Sequence, residues 1–420
     1  MKTICILGLG YIGLPTASMF ATHGMLVVGV DINSYILELL NQGNIHIEEV
    51  GLRSLVRKAM ASGNLVVRSA PEAADAFVIA VPTPINLDKT ADMRAVVSAT
   101  ESIVSHLRKG NLIVLESTSP PRTTIDLVKP ILERSGLKAG EDFLLAYSPE
   151  RVLPGRILKE LVENARVIGG IDRASSEAGR DLYATFVKGE IVLTDATTAE
   201  MVKLMENTFR DVNIALANEF ALIAEKICVN VWEAIDIANR HPRVKILRPG
   251  PGVGGHCIAI DPWFLVETAR EQARLIRQAR LVNDGMPEYV VRTVRRMVAT
   301  VEKPVVACLG LTYKADVDDV RESPAIEVVK RLVEARFVIR AFDPYVKVLP
   351  MLENSLVHSL ETAVSDADLL LVLVDHKQFK SLVPGTLETR ARWVLDTRNC
   401  LNVAAWQGRG IKVVRLGTPN

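Results

Sequence analysis

The chain has 420 residues with 50 basic and 49 acidic side chains, enough for two or three packed domains and almost no net charge. No basic stripe interleaves with aromatics, so nucleic acid is not an expected partner, and no apolar run is long enough to span a bilayer, so neither is a membrane. Cys5, Cys228, Cys257, Cys308 and Cys400 are odd in number, scattered and without a Cys-x-x-Cys pair, which argues against a disulfide framework or a metal site and for a cytoplasmic protein.

Residues 2–7 are a short apolar run of the buried parallel type. Gly8-Leu9-Gly10-Tyr11-Ile12-Gly13 follows, then a helical pattern, then a second apolar run that ends in Asp31. A glycine triplet alone is weak. Strand, triplet, helix and an acid 18 residues past Gly13 together make a dinucleotide fingerprint. Gly8, Gly10 and Gly13 let backbone amides reach a pyrophosphate, whose charge the helix dipole favours. Asp31 would accept hydrogen bonds from ribose hydroxyls and repel a 2′-phosphate, so the expected cofactor is NAD rather than NADP.

Three more strand patterns, 76–81, 112–116 and 143–147, each run into turn residues. Ligands bind at the carboxyl ends of strands in an open parallel sheet. Thr83, Thr118 and Glu150 sit just past such ends, so two hydroxyls and a carboxylate are expected at the cofactor's working end.

From Thr197 the pattern is helical to about Val229 with neither glycine nor proline, roughly 50 Å of helix. Thr197-x-x-Glu200 reads as its capping box. Lys203, Asn207 and Arg210 share one face. Met201, Leu204, Met205, Val212, Leu216 and Leu222 cover much of the surface, which suits a connector between domains and the interface of a homodimer.

Asn239-Arg240-His241-Pro242-Arg243 places cations before a stretch dense in glycine and proline, residues 249–255. Neither helix nor strand survives that density, and the backbone there must turn tightly. It delivers Cys257. Asp261-Pro262 then reads as a helix N-cap with proline at the first helical position. A helix N-terminus near a thiol favours the thiolate, so Cys257 is the candidate nucleophile.

The last third repeats the first in outline, with strand patterns at 304–311 (strand then turn), 337–343, 367–374, 392–396 and 412–416. Gly310-Leu311-Thr312-Tyr313-Lys314 lacks the glycine triplet, so Lys314 and Arg321 suggest phosphates or a mononucleotide rather than a second dinucleotide. The expected fold is α/β: two doubly wound Rossmann-like parallel-sheet domains joined by a long central helix. The expected domains are 1–196 for NAD, 197–298 for dimerisation and catalysis, and 299–420 for a nucleotide handle. A hydride acceptor beside a thiol implies an aldehyde captured as a thiohemiacetal, oxidised to a thioester and hydrolysed.

Gly-Leu-Gly-Tyr-Ile-Gly-Leu-Pro at 8–15, Glu-Ser-Thr-Ser-Pro at 116–120, Pro-Glu-Arg-Val-Leu-Pro-Gly at 149–155 and the stretches 200–213, 239–244 and 249–264, with Lys314 and Arg321, resemble the UDP-glucose/GDP-mannose dehydrogenase family over nearly the whole chain. Isoleucine at 260, where the UDP-glucose enzymes resemble one another in a lysine, together with His241-Pro242-Arg243, His256 and Trp263, leans towards a UDP-N-acetylhexosamine, mannosamine before glucosamine. Ile36 stands where some relatives carry a basic residue.

The resemblance implies four-electron oxidation of UDP-N-acetyl-D-mannosamine at C6, with the glucosamine analogue or UDP-glucose as alternatives. Cys257 would be the nucleophile, and Lys203 the proton exchanger and oxyanion partner, with Asn207 and Asp261 assisting. Glu150 would activate water ordered by Thr118. Tyr11, Ile12, Asp31, Thr83, Thr118 and Arg321 would hold NAD. Arg151, Val152, Lys203, Asn207, Arg210, His241, Arg243, Gly254, Tyr313 and Lys314 would line the UDP-sugar site. A two-electron hydroxyacid-type dehydrogenase or a non-catalytic nucleotide-sugar binder remain as readings of other classes.

Overall fold

The computed structural model describes residues 2–419 apart from Glu48 and Pro154, so Pro154 of the 149–155 motif lies outside the described residues. Contacts divide the chain into two compact units. One comprises Met1–Glu206 with Trp263–Arg270, the other Asn207–Pro262 with Glu271–Asn420.

The first unit is built on β1 (Thr3–Leu7), β2 (Leu26–Val30), β3 (Leu65–Arg68), β4 (Ala76–Ile79), β5 (Leu112–Leu115), β6 (Leu144–Tyr147), β7 (Arg166–Gly170) and β8 (Ile191–Asp195). Their order is β3-β2-β1-β4-β5-β6-β7-β8. β4 and β5 are buried along their whole length, as strands covered by helices on both faces must be. The order reverses at β1 and β4, and this switch point opens the crevice where such sheets take a ligand. β7 and β8 were not expected from sequence. β7 pairs antiparallel with β6, opposing Ala146 to Gly170 and Tyr147 to Gly169. β8 pairs parallel with β7, so β1 to β6 run one way and β7 and β8 the other.

The second unit carries β9 (Val305–Leu309), β10 (Val338–Phe342), β11 (Leu369–Val372), β12 (Trp393–Asp396) and β13 (Lys412–Arg415), all parallel, in the order β10-β9-β11-β12-β13. The likeness to the first sheet extends to single bonds. Gly8 donates to Val30 and Gly310 to Phe342, both at 2.8 Å, and both glycines have positive φ. Asp31 accepts from the Leu9 amide at 3.0 Å, as Asp343 accepts from the Leu311 amide at 2.6 Å. Asp343, however, is closed off. His376 Nε2 lies 3.0 Å from it and both side chains are fully buried. Burial resists ionisation of Asp343, but His376 and the Leu311 amide outweigh it and hold the carboxyl below its usual range. The acid that could meet a ribose in the first sheet is spent on the protein's own core in the second.

The long helix spans Ala196–Lys226, slightly shorter than expected. The capping box is corrected. Asp195, the last residue of β8, caps the helix by accepting from the Thr198 amide at 2.9 Å and hydroxyl at 2.6 Å. Glu200, fully buried, instead accepts from the Arg122 amide at 2.5 Å and from the Thr124 amide and hydroxyl at 2.8 and 2.6 Å. It thereby ties the helix to the segment just after Thr118.

Glu200→Ala would orphan these donors, at about 1–3 kcal/mol for each that stays buried. At about 2–4 °C per kcal/mol for a unit of this size, the melting temperature should fall by roughly 5 °C or more. Burial pushes the Glu200 carboxyl up to about 7, above an unfolded value of about 4.3. The stability it contributes is therefore full below about pH 4 and declines as the pH rises through about 7. Glu200→Gln lacks that decline. The melting-temperature gap between wild type and this variant should narrow from about pH 5 to about pH 8, and a widening gap contradicts the assignment.

Candidate active site

In the first unit, the turn from β1 into the helix Gly13–Thr22 has the close approaches that its glycines imply. A Cβ on Gly13 would stand 1.8 Å from the Gly8 carbonyl oxygen, and one on Gly8 would stand 2.7 Å from that of Ala80. At Gly10 a Cβ would meet nothing within 4 Å, so the outer side of the turn is open. No acidic side chain occupies the helix's first turn, and Ile12 at its N-cap offers no side-chain bond. Open amides at a helix N-terminus suit a pyrophosphate. Asp31 is half-buried at the end of β2, with one carboxylate oxygen on the Leu9 amide and the other on the Asn33 amide at 2.9 Å. These residues fit a dinucleotide. Tyr11 and Ile12 lie half-buried in the same turn.

Thr83 and Thr118, past β4 and β5, come together: the Thr83 hydroxyl donates to the Thr118 carbonyl at 2.7 Å. Glu150, past β6, is buried, and one of its oxygens accepts from the Arg151 amide at 2.6 Å. The other takes Arg166 at 3.0 Å. Arg166 was missed in the sequence, as were its further partners Glu116 and Tyr183. The Arg151 side chain pairs with Glu206 at 2.5 Å, and Val152 beside it is half-buried. Lys203 is buried on the long helix.

In the second unit, Cys257 is exposed on the turn that enters the helix Asp261–Thr268. Asp261 is not its N-cap but its first residue, and its amide donates to the Cys257 carbonyl at 2.8 Å. The Asp261 carboxylate instead accepts from Asn207 Nδ2 at 2.6 Å, a bond with both side chains buried. The other cysteines differ. Burial pushes the Cys5 thiol up to about 11 and raises those of Cys308 and Cys400, while Cys228 is exposed just past the long helix.

The loop before Cys257 leans on its neighbours. A Cβ on Gly254 would lie 2.4 Å from the Glu322 carbonyl, and one on Gly255 2.8 Å from the Tyr313 ring. Asn218 accepts from the Gly250 amide at 2.9 Å, and Asn213 and Asn239 bracket residues 245–247 through four further bonds. Asn218 in turn donates to Asn283, which donates to Asp211, which holds the fully buried Arg280. Of the three asparagines on the loop, Asn213 ended one of the motif stretches and Asn239 opened another, while Asn218 carried no sequence signal. His256 is held below the usual histidine range by burial and by the Arg321 cation. Arg321 grips Asp319 through two bonds, at 2.8 and 2.6 Å. Arg210, His241, Arg243 and Lys314 are exposed.

Among the described residues there is no cluster of metal-ligating side chains, and no helix is long and apolar enough to cross a membrane.

Three family profiles match in succession. The NAD binding domain of the UDP-glucose/GDP-mannose dehydrogenase family matches residues 2–187, its central domain 197–285 and its UDP binding domain 307–403. A UDP-N-acetyl-D-mannosamine dehydrogenase of Methanocaldococcus jannaschii is 50% identical over 99% of this chain and 96% of its own length. An NDP-N-acetyl-D-galactosaminuronic acid dehydrogenase of Ralstonia nicotianae is also 50% identical, over 94% of this chain and 96% of its own. The solved structure of a UDP-D-ManNAc dehydrogenase from Pyrococcus horikoshii superposes with a TM-score of 0.93 at 42% identity, covering 99% of each chain. The open glycine turn with its acid, the second sheet and these likenesses converge: the chain is an NAD-dependent oxidoreductase and belongs to the UDP-glucose/GDP-mannose dehydrogenase family.

Proposed function

We propose that this NAD-dependent UDP-sugar dehydrogenase oxidises UDP-N-acetyl-D-mannosamine at C6 to the uronate, in two oxidations, through a covalent adduct on Cys257. The observation that carries the reading is the exposed Cys257 on a turn anchored at Asp261 by the buried Asn207, 2.6 Å away. NAD, when bound at the glycine turn, accepts the hydride of each oxidation. Gly8, Gly10 and Gly13 admit its pyrophosphate, Asp31 its ribose, and Tyr11, Ile12, Thr83, Thr118 and Arg321 complete its site.

Lys203 takes the proton of the C6 alcohol. The resulting aldehyde has no hydride to give readily until a nucleophile adds to it. Cys257 adds as thiolate, forming the S–C6 bond, and Lys203 with Asn207 stabilises the oxyanion, with Asp261 orienting the amide. Loss of the second hydride leaves a thioester. Glu150 removes a proton from water ordered by Thr118, the water oxygen bonds to C6, and the S–C6 bond breaks to return the thiolate. Arg151, Val152, Arg210, His241, Arg243, Gly254, Tyr313 and Lys314 line the nucleotide-sugar site. The three-part organisation, 1–196, 197–298 and 299–420, and a cytoplasmic setting belong to the same reading.

The mannosamine assignment is supported by relatives of that name covering nearly the whole chain. The galactosaminuronic relative, at the same identity, favours a second reading with the galacto epimer.

A homodimer is part of the proposal. Met201, Met205, Phe209, Leu216, Phe220, Ile223 and Ile227 are exposed. At about 100° per residue they fall in one stripe about 100° wide, facing away from Lys203, Asn207 and Arg210. An apolar stripe of this length on one helix suits a second copy of itself across a two-fold axis.

Product analysis with UDP-N-acetylmannosamine, UDP-N-acetylglucosamine, UDP-N-acetylgalactosamine and UDP-glucose side by side tests the function. The mannosamine sugar should be the preferred substrate, giving about two NADH per sugar, a uronic acid and no released aldehyde. Cys257→Ser should lose nearly all turnover, and Glu150→Gln should accumulate a thioester on Cys257 visible by intact mass. One NADH per sugar with near-normal activity in Cys257→Ser contradicts the mechanism. Sedimentation at micromolar concentration should give twice the mass of one chain, and Phe209→Glu should shift it towards one. A wild-type monomer under those conditions contradicts the dimer.

A further inference from the structure

The reversed strand β7 has a consequence for Glu150. Continuing the β6–β7 register past Tyr147 brings Arg166, the first residue of β7, opposite position 150. All three N–H-bearing nitrogens of its guanidinium are used. Nε donates to the Ser148 hydroxyl at 2.9 Å, Nη1 to Glu150 at 3.0 Å and Nη2 to Glu116 at 2.5 Å. Its plane lies over the Tyr183 ring, 3.9 Å from the centroid. The arginine side chain is 5% exposed and those of Glu116 and Glu150 0% and 7%, so one cation serves two carboxylates out of water.

The two carboxylates are not equivalent. Each Glu150 oxygen has a donor, the Arg151 amide on one side and Arg166 on the other. Glu116 takes Arg166 and the Tyr183 hydroxyl on a single oxygen, Oε1. Its Oε2 is buried and without a partner. A lone pair of an ionised carboxylate left bare in the interior is costly, and a proton there removes the charge. Burial pushes Glu116 up to about 7, with Glu150 adding to the rise and Arg166 opposing it. Arg151, next to Glu150 in the chain, pairs its side chain with Glu206.

We propose that Arg166 is a positioning residue for Glu150, pairing with its carboxylate and aiming it, and that Glu116 stands by as an uncharged acid which leaves the arginine's charge to Glu150. The proposal rests on the reading of Glu150 as the group that activates the hydrolytic water. Glu116 and Tyr183 fix the far side of the guanidinium, so its near side meets Glu150 in one orientation. A single buried cation facing a single buried anion is also an arrangement the interior tolerates.

The test follows thioester decay on Cys257 by quenched intact mass, in single turnovers with NAD and UDP-N-acetylmannosamine, across pH. Arg166→Gln should move the acid limb of the decay rate up by at least about one pH unit, because Glu150 loses its counter-cation. Thioester should then accumulate on the acid side of the profile, while the first NADH burst and the KM for the sugar stay near wild type. Arg166→Lys should restore part of the shift. Glu116→Gln copies the uncharged acid and should keep the acid limb where wild type has it, which decides the matter even if Arg166→Gln does not fold. An acid limb that moves down by about a unit in Glu116→Gln would mean that Glu116 is ionised in the wild type, and overturns the proposal. So does an unmoved limb in a folded Arg166→Gln, or burst and decay falling together, as a purely structural role would have it. Glu150→Gln separates the two levels. If it accumulates no thioester, the water-activating role fails. If it does while Arg166→Gln shows no shift, only the positioning role fails.

Discussion

A loop with four glycines between Pro249 and Gly255 cannot hold its own shape, and the proposed nucleophile hangs from it. Its conformation is imposed from outside. Tyr313 and the Glu322 backbone press against Gly254 and Gly255 so closely that no side chain fits. Asn213, Asn218 and Asn239 hold the backbone around residues 245–250. Asn207 fixes the far end through Asp261. Three of these anchors, Asn207, Asn213 and Asn218, sit on one helix, Ala196–Lys226, which Asp195 caps. Cys257 is thus delivered by a flexible segment whose freedom has been removed, which is the preorganisation that covalent chemistry requires.

The same helix carries several of the candidate site residues. Its first turns carry Glu200, which secures the segment after Thr118, and Lys203. Its middle carries Asn207, Asn213 and Asn218. The exposed apolar stripe faces away from Lys203 and Asn207, while Asn213 lies close to its edge. Buried charge elsewhere follows one rule. Arg166, Arg280 and Asp343 are each enclosed, and each is matched by partners within about 3 Å, as burial of an ion demands.

Much of this was legible in the sequence because it depends on backbone constraints that few residue types satisfy. The glycine triplet with Asp31, the turn residues after β4 to β6, and the glycine-rich approach to Cys257 all have strong local signatures. What was not legible depends on partners distant in sequence. Arg166 reads as a lone surface arginine until folding brings it to Glu150 and Glu116, 16 and 50 residues away. β7 holds two glycines, and β8 lies at the sheet edge with mixed exposure, so neither shows the continuous apolar run of the inner strands. The capping error has the same origin. Thr197-x-x-Glu200 and Asp195-x-x-Thr198 are both plausible caps, and the choice fell to Asp195 because Glu200 is claimed by Arg122 and Thr124, more than 70 residues away.

Cys257 is the group proposed to bond to the substrate. Limited alkylation of the native enzyme with iodoacetamide, mapped peptide by peptide against residual activity, examines this directly. Activity should fall in proportion to the label on Cys257, and NAD with UDP-sugar should protect it. Cys5, Cys308 and Cys400 should stay unlabelled, and any label on the exposed Cys228 should leave activity intact. Full activity in protein whose Cys257 is completely alkylated would contradict the account.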